Sequence, residues 1–458
     1  MRCVYILFLI LLNLMLFFPD IYSADNSNVE AEILRSVSGI NNDDIKAANS
    51  KTELTLFNAY AKAVYNTERL KISGESYFQA SARKDQAFGA FLPYVSLQGM
   101  YVIPKSITST APASNNGSST GVSVYARQNL FTGLNEWGSY KGADADLNHS
   151  RTLMLYNANL LLLDVSSAFY TILTLDHALK NNREILNLYT RMKDEQRRRV
   201  SLGKSRPSEL LRIDSQVFQL EAQIKEAKNQ LESAKLAFAT LAGIDSSYEL
   251  EDKHILPEIP DVSSRADEFA AKRADVKAAK EDLERADIKL TTALGGHLPN
   301  VYAQGAYSLL HRGNGIDYYA GVGVELPLFS GGIVSGKIKE AESQKRQAEL
   351  ALSNIRRVAR QDIINAARSC ETSRDEAEAF RKALNAAQSN YQSVTEDYRR
   401  DRVTILDVLT SLTLLQSAKN DFEKAEFKYR FNRIWLGVAT SEFSGENIHL
   451  LNNKQKGD

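Results

Sequence analysis

The residues that could do chemistry are few and stand apart. His149, His177, His254, His297, His311 and His449 show no metal-ligand spacing, and no glycine-rich loop is placed to cradle a phosphate. Cys3 and Cys370 are the two cysteines, and the carboxylates fall in the alternating charge patterns of solvated helices. General acid–base, nucleophilic or metal-assisted catalysis needs such groups to converge. None do so here, so the chain is expected to be no enzyme and to carry no cofactor and no metal. The 56 basic and 56 acidic residues cancel, which gives no electrostatic reason to expect nucleic acid as a partner.

The elements that hold these scattered groups are more informative. At 458 residues with 43% hydrophobic content the chain is long enough for two or three ordinary domains. Residues 1–23 read as a secretory signal peptide: a short basic start, an apolar run from Val4 to Phe18, and a polar end with cleavage expected after Ser23. The run is shorter than a spanning helix, and no other segment reads as one. Cys3 would leave with the signal. Cys370 would then stand alone, unable to form an intramolecular disulfide, as a small residue packed on a helix.

The chain also repeats itself. Leu130, Phe131, Thr132 and Gly133 are matched at one fixed offset by Leu328, Phe329, Ser330 and Gly331, and that offset also pairs Gly138 with Gly336, Lys141 with Lys339 and Ala143 with Ala341. Ahead of these, "LPYVSLQGMY" and "LPNVYAQGAY" share Leu, Pro, Val, Gln, Gly and Tyr in register. Each half reads as helix, strand, loop, strand, long helix. The first repeat is placed at 24–245, with strands at about 93–103 and 119–131 and helices at about 53–88, 134–200 and 208–242. A linker or equatorial segment follows at 246–262. The second repeat is placed at 263–440, with strands at about 299–311 and 317–328 and helices at about 263–294, 332–400 and 406–440, and 441–458 is a tail.

All four strands alternate. Val95, Leu97, Gly99 and Tyr101 oppose Ser96 and Gln98; Val122, Val124 and Ala126 oppose Ser123 and Arg127. Val301, Ala303 and Tyr307 oppose Gln304 and Ser308; Ala320, Val322, Val324 and Leu326 oppose Gly321, Gly323 and Glu325. A soluble sheet packed on helices and a transmembrane strand set both give this pattern. The helices keep an apolar spacing of alternating three and four, as in Leu210, Ile213, Val217, Leu220, Ile224, Ala227, Leu231, Ala234, Phe238 and Leu241, which means paired, supercoiled helices.

The duplicated halves, "LPLFSGG" followed by "KIKEAESQKRQAEL", the earlier "LPYVSLQG" and "RADVKAAKEDLERA" together resemble the TolC-type outer-membrane efflux protein family over essentially the whole mature chain. The resemblance implies an α+β membrane protein in which three protomers each give four strands to one twelve-stranded β-barrel, continued by a periplasmic tube of helices. It implies an exit duct of a tripartite efflux or type I secretion system in the outer membrane of a Gram-negative-type bacterium, with a periplasmic adaptor and an inner-membrane pump as partners. Apolar strand faces would meet outer-membrane lipid, and the faces with Ser, Gln, Gly and Glu325 would meet a water-filled lumen. Tyr101, Tyr307, Tyr318, Tyr319, Phe131 and Phe329 would be aromatic anchors. The stretch from Ile103 to Thr120 and residues 311–317 would be outer loops. Pro93, Phe131, Gly133, Pro299, Pro327, Phe329, Gly331 and Gly332 would form the barrel-to-tube junction.

By the same resemblance, the pore closes at the tip of the second helical hairpin. The family's Ile-Val-Asp-Val-Leu pattern falls on Ile405, Leu406, Asp407, Val408 and Leu409, which places Asp407 at the constriction with Tyr398, Asp401 and Arg402. The sequence departs from the family at Asp401, where a glycine is common, and at Thr410, where a second aspartate is common. Asp407 also reads as an anionic cap of the helix that follows it. Gly203, Lys204, Ser205, Arg206, Val403 and Thr404 are the expected adaptor-docking tips. The rival reading is a soluble periplasmic coiled-coil scaffold or adaptor protein. Cargo, whether drugs, metals or secreted protein, is not encoded in these motifs.

Overall fold

Alternating residues bounded by prolines and glycines fold as strands, and the stretches of 3.5-residue period fold as helices. The structure is a computed structural model that describes residues 35, 38–41, 44, 53–102, 119–244, 248–252, 257–262, 264–310 and 318–452. The expected signal peptide with Cys3, most of the first outer loop and all of the second lie outside the described residues. The chain divides into two compact units. One holds residues 75–153 and 274–356; the other holds 1–74, 154–273 and 357–458. Each unit draws on both sequence repeats, because the long helices carry the chain from one unit to the other.

The smaller unit contains a sheet of β2 (Tyr94–Val102), β3 (Ser119–Thr132), β5 (Asn300–Leu310) and β6 (Tyr318–Glu325), in the order β2-β3-β5-β6 and antiparallel throughout. Each repeat supplies one hairpin, and β3 and β5 join them. β6 stops at Glu325 rather than near 328, since Pro327 has no N–H to continue a ladder and Leu328 and Phe329 extend into solvent. The register shift between Asn129 and Phe131 is a bulge at the helix end of β3.

From the strands the chain passes into α3 (Asn135–Ser201) and α7 (Ile333–Arg399), each of 67 residues, about 100 Å at 1.5 Å per residue. Each strand-to-helix turn uses two successive left-handed residues. Gly133 and Leu134 have φ of 61° and 69°, and Gly331 and Gly332, their counterparts in the repeat, 60° and 83°. Gly133 has a second constraint. A Cβ there would overlap the carbonyl of Gly295, and one on Gly295 would overlap the carbonyl of Gly133, so the turn and the end of α6 (Ala274–Leu294) meet backbone to backbone. Gly138 sits equally close to Thr292.

In the larger unit β1 (Glu53–Leu54) pairs in parallel with β4 (Glu249–Leu250). The core gathers Leu56, Phe57 and Tyr60 of α1 (Leu56–Asn66), Leu161, Leu162, Val165 and Phe169 of α3, Phe238 of α4 (Pro207–Ala242) and Ile434 of α8 (Ile405–Ala439). A window of α3 is apolar enough to cross a membrane, where the sequence reading found none outside the signal; more than half of it is buried, so its composition serves this core.

Two further expectations are corrected. The helix expected at 53–88 is β1, α1 and α2 (Glu68–Gly89), broken at Thr67, and the helix expected at 263–294 is α5 (Ala266–Lys272) and α6, broken at Arg273. The offset that aligns Pro93 with Pro299 also aligns Thr67 with Arg273. The first break is fixed from outside: the Thr67 hydroxyl donates to the Leu241 carbonyl at 3.1 Å and Asn66 Nδ2 to that of Gly243 at 2.9 Å. Segment 246–262 is tied to α8 at Pro257 and Glu258. The fully buried Arg433 donates to the carbonyls of Pro257 (2.9 Å) and Glu258 (3.0 Å) and to both Glu442 oxygens. The tail packs as well, with Phe443, Ile448 and Leu451 buried against the core.

Candidate functional site

At their far ends, α3–α4 and α7–α8 turn through the same device. Lys204 N donates to Arg199 O (2.8 Å) past Gly203, whose φ is 67°, and Arg402 N donates to Asp397 O (3.0 Å) past Asp401, whose φ is 56°. Both are Schellman caps with a left-handed residue after the helix. The offset that pairs Gly133 with Gly331 pairs Gly203 with Asp401. A left-handed aspartate costs roughly 1 kcal/mol against glycine, and the exchange supplies a side chain. Asp401 Oδ1 accepts from Arg199 Nη1 at 3.0 Å, which ties one hairpin to the other.

That ion pair is one edge of a network. The Arg199 guanidinium lies 4.7 Å from the centre of the Tyr398 ring. The Tyr398 hydroxyl donates to Gln196 Oε1 at 2.9 Å, and Gln196 Nε2 donates to Glu209 Oε2 at 2.8 Å and to Ser205 Oγ, which itself donates to Glu209 Oε2 at 2.6 Å. Gln196 is 1% exposed. Burial raises the Tyr398 pKa above its ordinary value of 10.0, so the phenol stays protonated and remains a donor.

Asp407 sits at the first turn of α8. Its Oδ2 accepts from Thr404 N at 2.8 Å and from Thr404 Oγ1 at 2.7 Å, a capping arrangement. The Thr404 hydroxyl and then the Thr404 N–H hold its carboxyl below the ordinary 3.8. Arg402 turns back to Asp397 at 3.4 Å. Of the four residues expected at the constriction, Tyr398 and Asp401 thus share the network around Arg199, whereas Arg402 and Asp407 each engage a neighbour on their own hairpin. Among the residues expected at the docking tips, Ser205 is tied into the network, Val403 is half-buried, and Gly203, Lys204, Arg206 and Thr404 are exposed. Leu202 beside them is 70% exposed.

Gln196, Arg199, Glu209 and Asp397 are the site residues that sequence reasoning missed. Two had a legible signal. Glu209 stands at the repeat offset from Asp407, and Gln196 is a polar residue in step with the apolar stripe that includes Tyr189. Behind the tips the hairpins share a core of Ile185, Tyr189, Ile213, Val217, Leu220, Ala387, Ile405, Val408 and Leu412. A polar seam between α3 and α8 runs beside it: Tyr189 Oη with Thr413 Oγ1 (3.2 Å), Gln416 to Asn182 (3.0 Å), Asn181 to Asn420 (3.2 Å) and His177 with Glu423 (2.9 Å).

The sheet offers a second functional surface. Its register places Leu97, Val124, Tyr307 and Tyr318 on one face with Val95, Val122, Val301, Val322 and Val324. Val95, Leu97, Val322 and Val324 are 51–68% exposed. The other face carries Ser96, Gln98, Ser123, Arg127, Asn129, Gln304 and Glu325. Tyr101, Tyr307 and Tyr318 lie on the apolar face; Tyr319, expected with them, lies on the polar one, since it follows Tyr318 by one residue on a strand of period two. Among the described residues no group of three or more His, Cys, Asp or Glu is placed to hold a metal.

The model for the outer membrane efflux protein family matches residues 76–244 and 265–438. The chain is 20% identical over 418 residues to outer membrane protein TolC of Escherichia coli (strain K12), an alignment covering 87% of this chain and 84% of TolC. It is 22% identical over 404 residues to outer membrane efflux protein BepC of Brucella suis biovar 1 (strain 1330), covering 86% and 87%. The outer membrane protein VceC of Vibrio cholerae superposes with a TM-score of 0.74 at 17% identity, covering 84% of this chain and 95% of VceC, and so shares its fold.

Proposed function

The chain belongs to the outer membrane efflux protein family and is an outer-membrane exit duct for efflux or secretion, and from that premise we propose how it conducts: as a homotrimer. The observation that supports this is the sheet. β2 and β6 leave their outer edges unpaired, and each unsatisfied backbone group costs several kcal/mol in lipid. Three copies joined edge to edge leave none. The exposed apolar face then meets lipid and the polar face lines the lumen, with Pro93, Phe131, Gly133, Pro299, Pro327, Phe329, Gly331 and Gly332 where strands give way to helices.

The helical tips are the constriction and the docking end. In three copies, Asp407 and Asp401 concentrate negative charge at the mouth, which favours cations. The links of Arg199 to Asp401 and of Gln196 to Tyr398 hold the hairpins together. A periplasmic adaptor engages the two turns at Gly203, Lys204, Ser205, Arg206, Val403 and Thr404 and delivers substrate from an inner-membrane pump. The family is one of ducts rather than of enzymes, and passage is passive.

Detergent extraction from outer membranes followed by single-particle imaging tests the assembly. Trimers with a closed barrel are expected; monomers or rods released without detergent would favour the periplasmic scaffold instead. Asp407→Asn should lower cation preference in planar bilayers, and unchanged conductance, selectivity and export would remove Asp407 from the constriction. Charge reversal at Arg206 together with Arg402 should abolish adaptor cross-linking.

A further inference from the structure

The described strand residues of the four-stranded sheet carry two charges: Arg127 in the middle of β3, and Glu325 at the last residue of β6. Arg127 has Gln304 directly across from it on β5 and Tyr94 on β2. No carboxylate among the described residues lies within ion-pair distance of it. Its guanidinium instead lies 4.2 Å from the centre of the Tyr302 ring. Tyr302 is itself seated: its register partner is Gly323, where a Cβ would overlap the Tyr302 ring and hydroxyl. Glycine, aromatic ring and guanidinium form a stack across three adjoining strands. Beside it the Tyr125 hydroxyl donates to Gln304 Oε1 at 3.0 Å, which leaves the Gln304 amide N–H groups as the side of that group free to meet a solute. The patch therefore holds oriented donors and a fixed positive charge with no anion to satisfy them.

We propose that Arg127, positioned by Tyr302 and assisted by Gln304, is an anion-recognition station in the barrel lumen, selecting solutes that bear a carboxylate, sulfonate or phosphate group. This rests on the duct reading, which makes the polar face the lumen. A charged arginine is disfavoured against lipid, so its placement on the polar face fits that orientation. Twelve strands about 4.8 Å apart and tilted by about 40° close a ring of radius about 12 Å. The screening length at physiological ionic strength is about 8 Å. Three Arg127 charges on that wall are thus felt over most of the cross-section once side chains narrow it, and their sign is opposite to that of the acidic ring proposed at the tips.

The test is the chloride-to-potassium permeability ratio of the purified full-length protein in planar bilayers, read from reversal potentials in a potassium chloride gradient. It is run in the wild type and in an Asp407→Asn background that removes charge at the tip. Arg127→Gln should lower the ratio at least twofold in the Asp407→Asn background. Arg127→Glu should lower it further, and Arg127→Lys should hold it near the starting value. Gln304→Glu, which sets a carboxylate against an unaltered Arg127, should give the same direction and covers the case in which the Arg127→Gln protein does not assemble. Conducting channels whose ratio is unmoved by Arg127→Gln and Gln304→Glu would overturn the station while leaving the duct in place. A wild-type protein that forms no channel would overturn the duct reading and this inference with it.

Discussion

Replacing Tyr398 by phenylalanine isolates one contact between the two hairpins. The ring stays, and with it the stacking of Arg199 at 4.7 Å; what goes is the hydroxyl that donates to Gln196 Oε1 at 2.9 Å. Gln196 is 1% exposed, so water does not replace the lost donor. Leaving a buried acceptor unsatisfied costs about 1–3 kcal/mol. The Arg199–Asp401 pair offers a contrast, because the Asp401 side chain is 80% exposed and such pairs contribute under about 1 kcal/mol. In a trimer whose hairpins separate together, the Tyr398→Phe loss is counted three times, at least about 3 kcal/mol, or about two decades in the open-to-closed ratio. Single-channel recording should show the open occupancy rising by that order for Tyr398→Phe and by clearly less for Asp401→Asn. Equal occupancy in Tyr398→Phe and wild type, or a larger effect from Asp401→Asn, would refute the view that the buried hydrogen bond rather than the surface ion pair holds the tips.

Arg433→Met should lower the stability of the larger unit by about 3 kcal/mol, since it strands Glu442 and the Pro257 and Glu258 carbonyls, and Arg433→Lys should not restore it because one ammonium cannot reproduce the fork; thermal unfolding in detergent reads both. Gly133→Ala should cost more than Gly331→Ala: both pay about 1 kcal/mol for a left-handed φ, but only the first meets a carbonyl, that of Gly295, and the second opens on free space. Because the Asp407 pKa is lowered on folding, its contribution is full above the ordinary 3.8 and is lost as pH falls through the lower folded value, so the melting difference between wild type and Asp407→Ala should persist at pH 5 and shrink below about pH 3.8. Cys370 is fully buried and burial pushes its thiol up to about 11, so a thiol reagent at pH 8 should label no native protein and one thiol per mature chain after denaturation.

The strand faces could be read in advance because their period is local. Val95 and Leu97 on one side, Ser96 and Gln98 on the other, need only the pleat, and the same holds for Arg127 and Glu325. The turns at Gly203 and Asp401 were likewise marked by where the helical period lapses. Asp407 could be read in two ways; the capping contact with Thr404 is the one the structure displays, and it is compatible with exposure to a pore.

What the sequence did not disclose involves partners far apart in the chain. Nothing local says that Gln196 meets Tyr398, that Arg199 meets Asp401, or that β3 rather than another strand receives β5. The breaks at Thr67 and Arg273 carry no proline or glycine; the first is fixed by carbonyls at the end of α4, which a propensity argument cannot see. The tail was legible only as a tail, because Phe443, Ile448 and Leu451 show no long period, and they become core through contacts with elements distant in the chain. Amino-acid order by itself determined the elements, their two-faced character and their duplication, since each depends on backbone sterics and side-chain period over a few residues. The tertiary structure alone decided which faces and which turns meet, because those contacts depend on how rigid helices and strands pack at distances that no local pattern encodes.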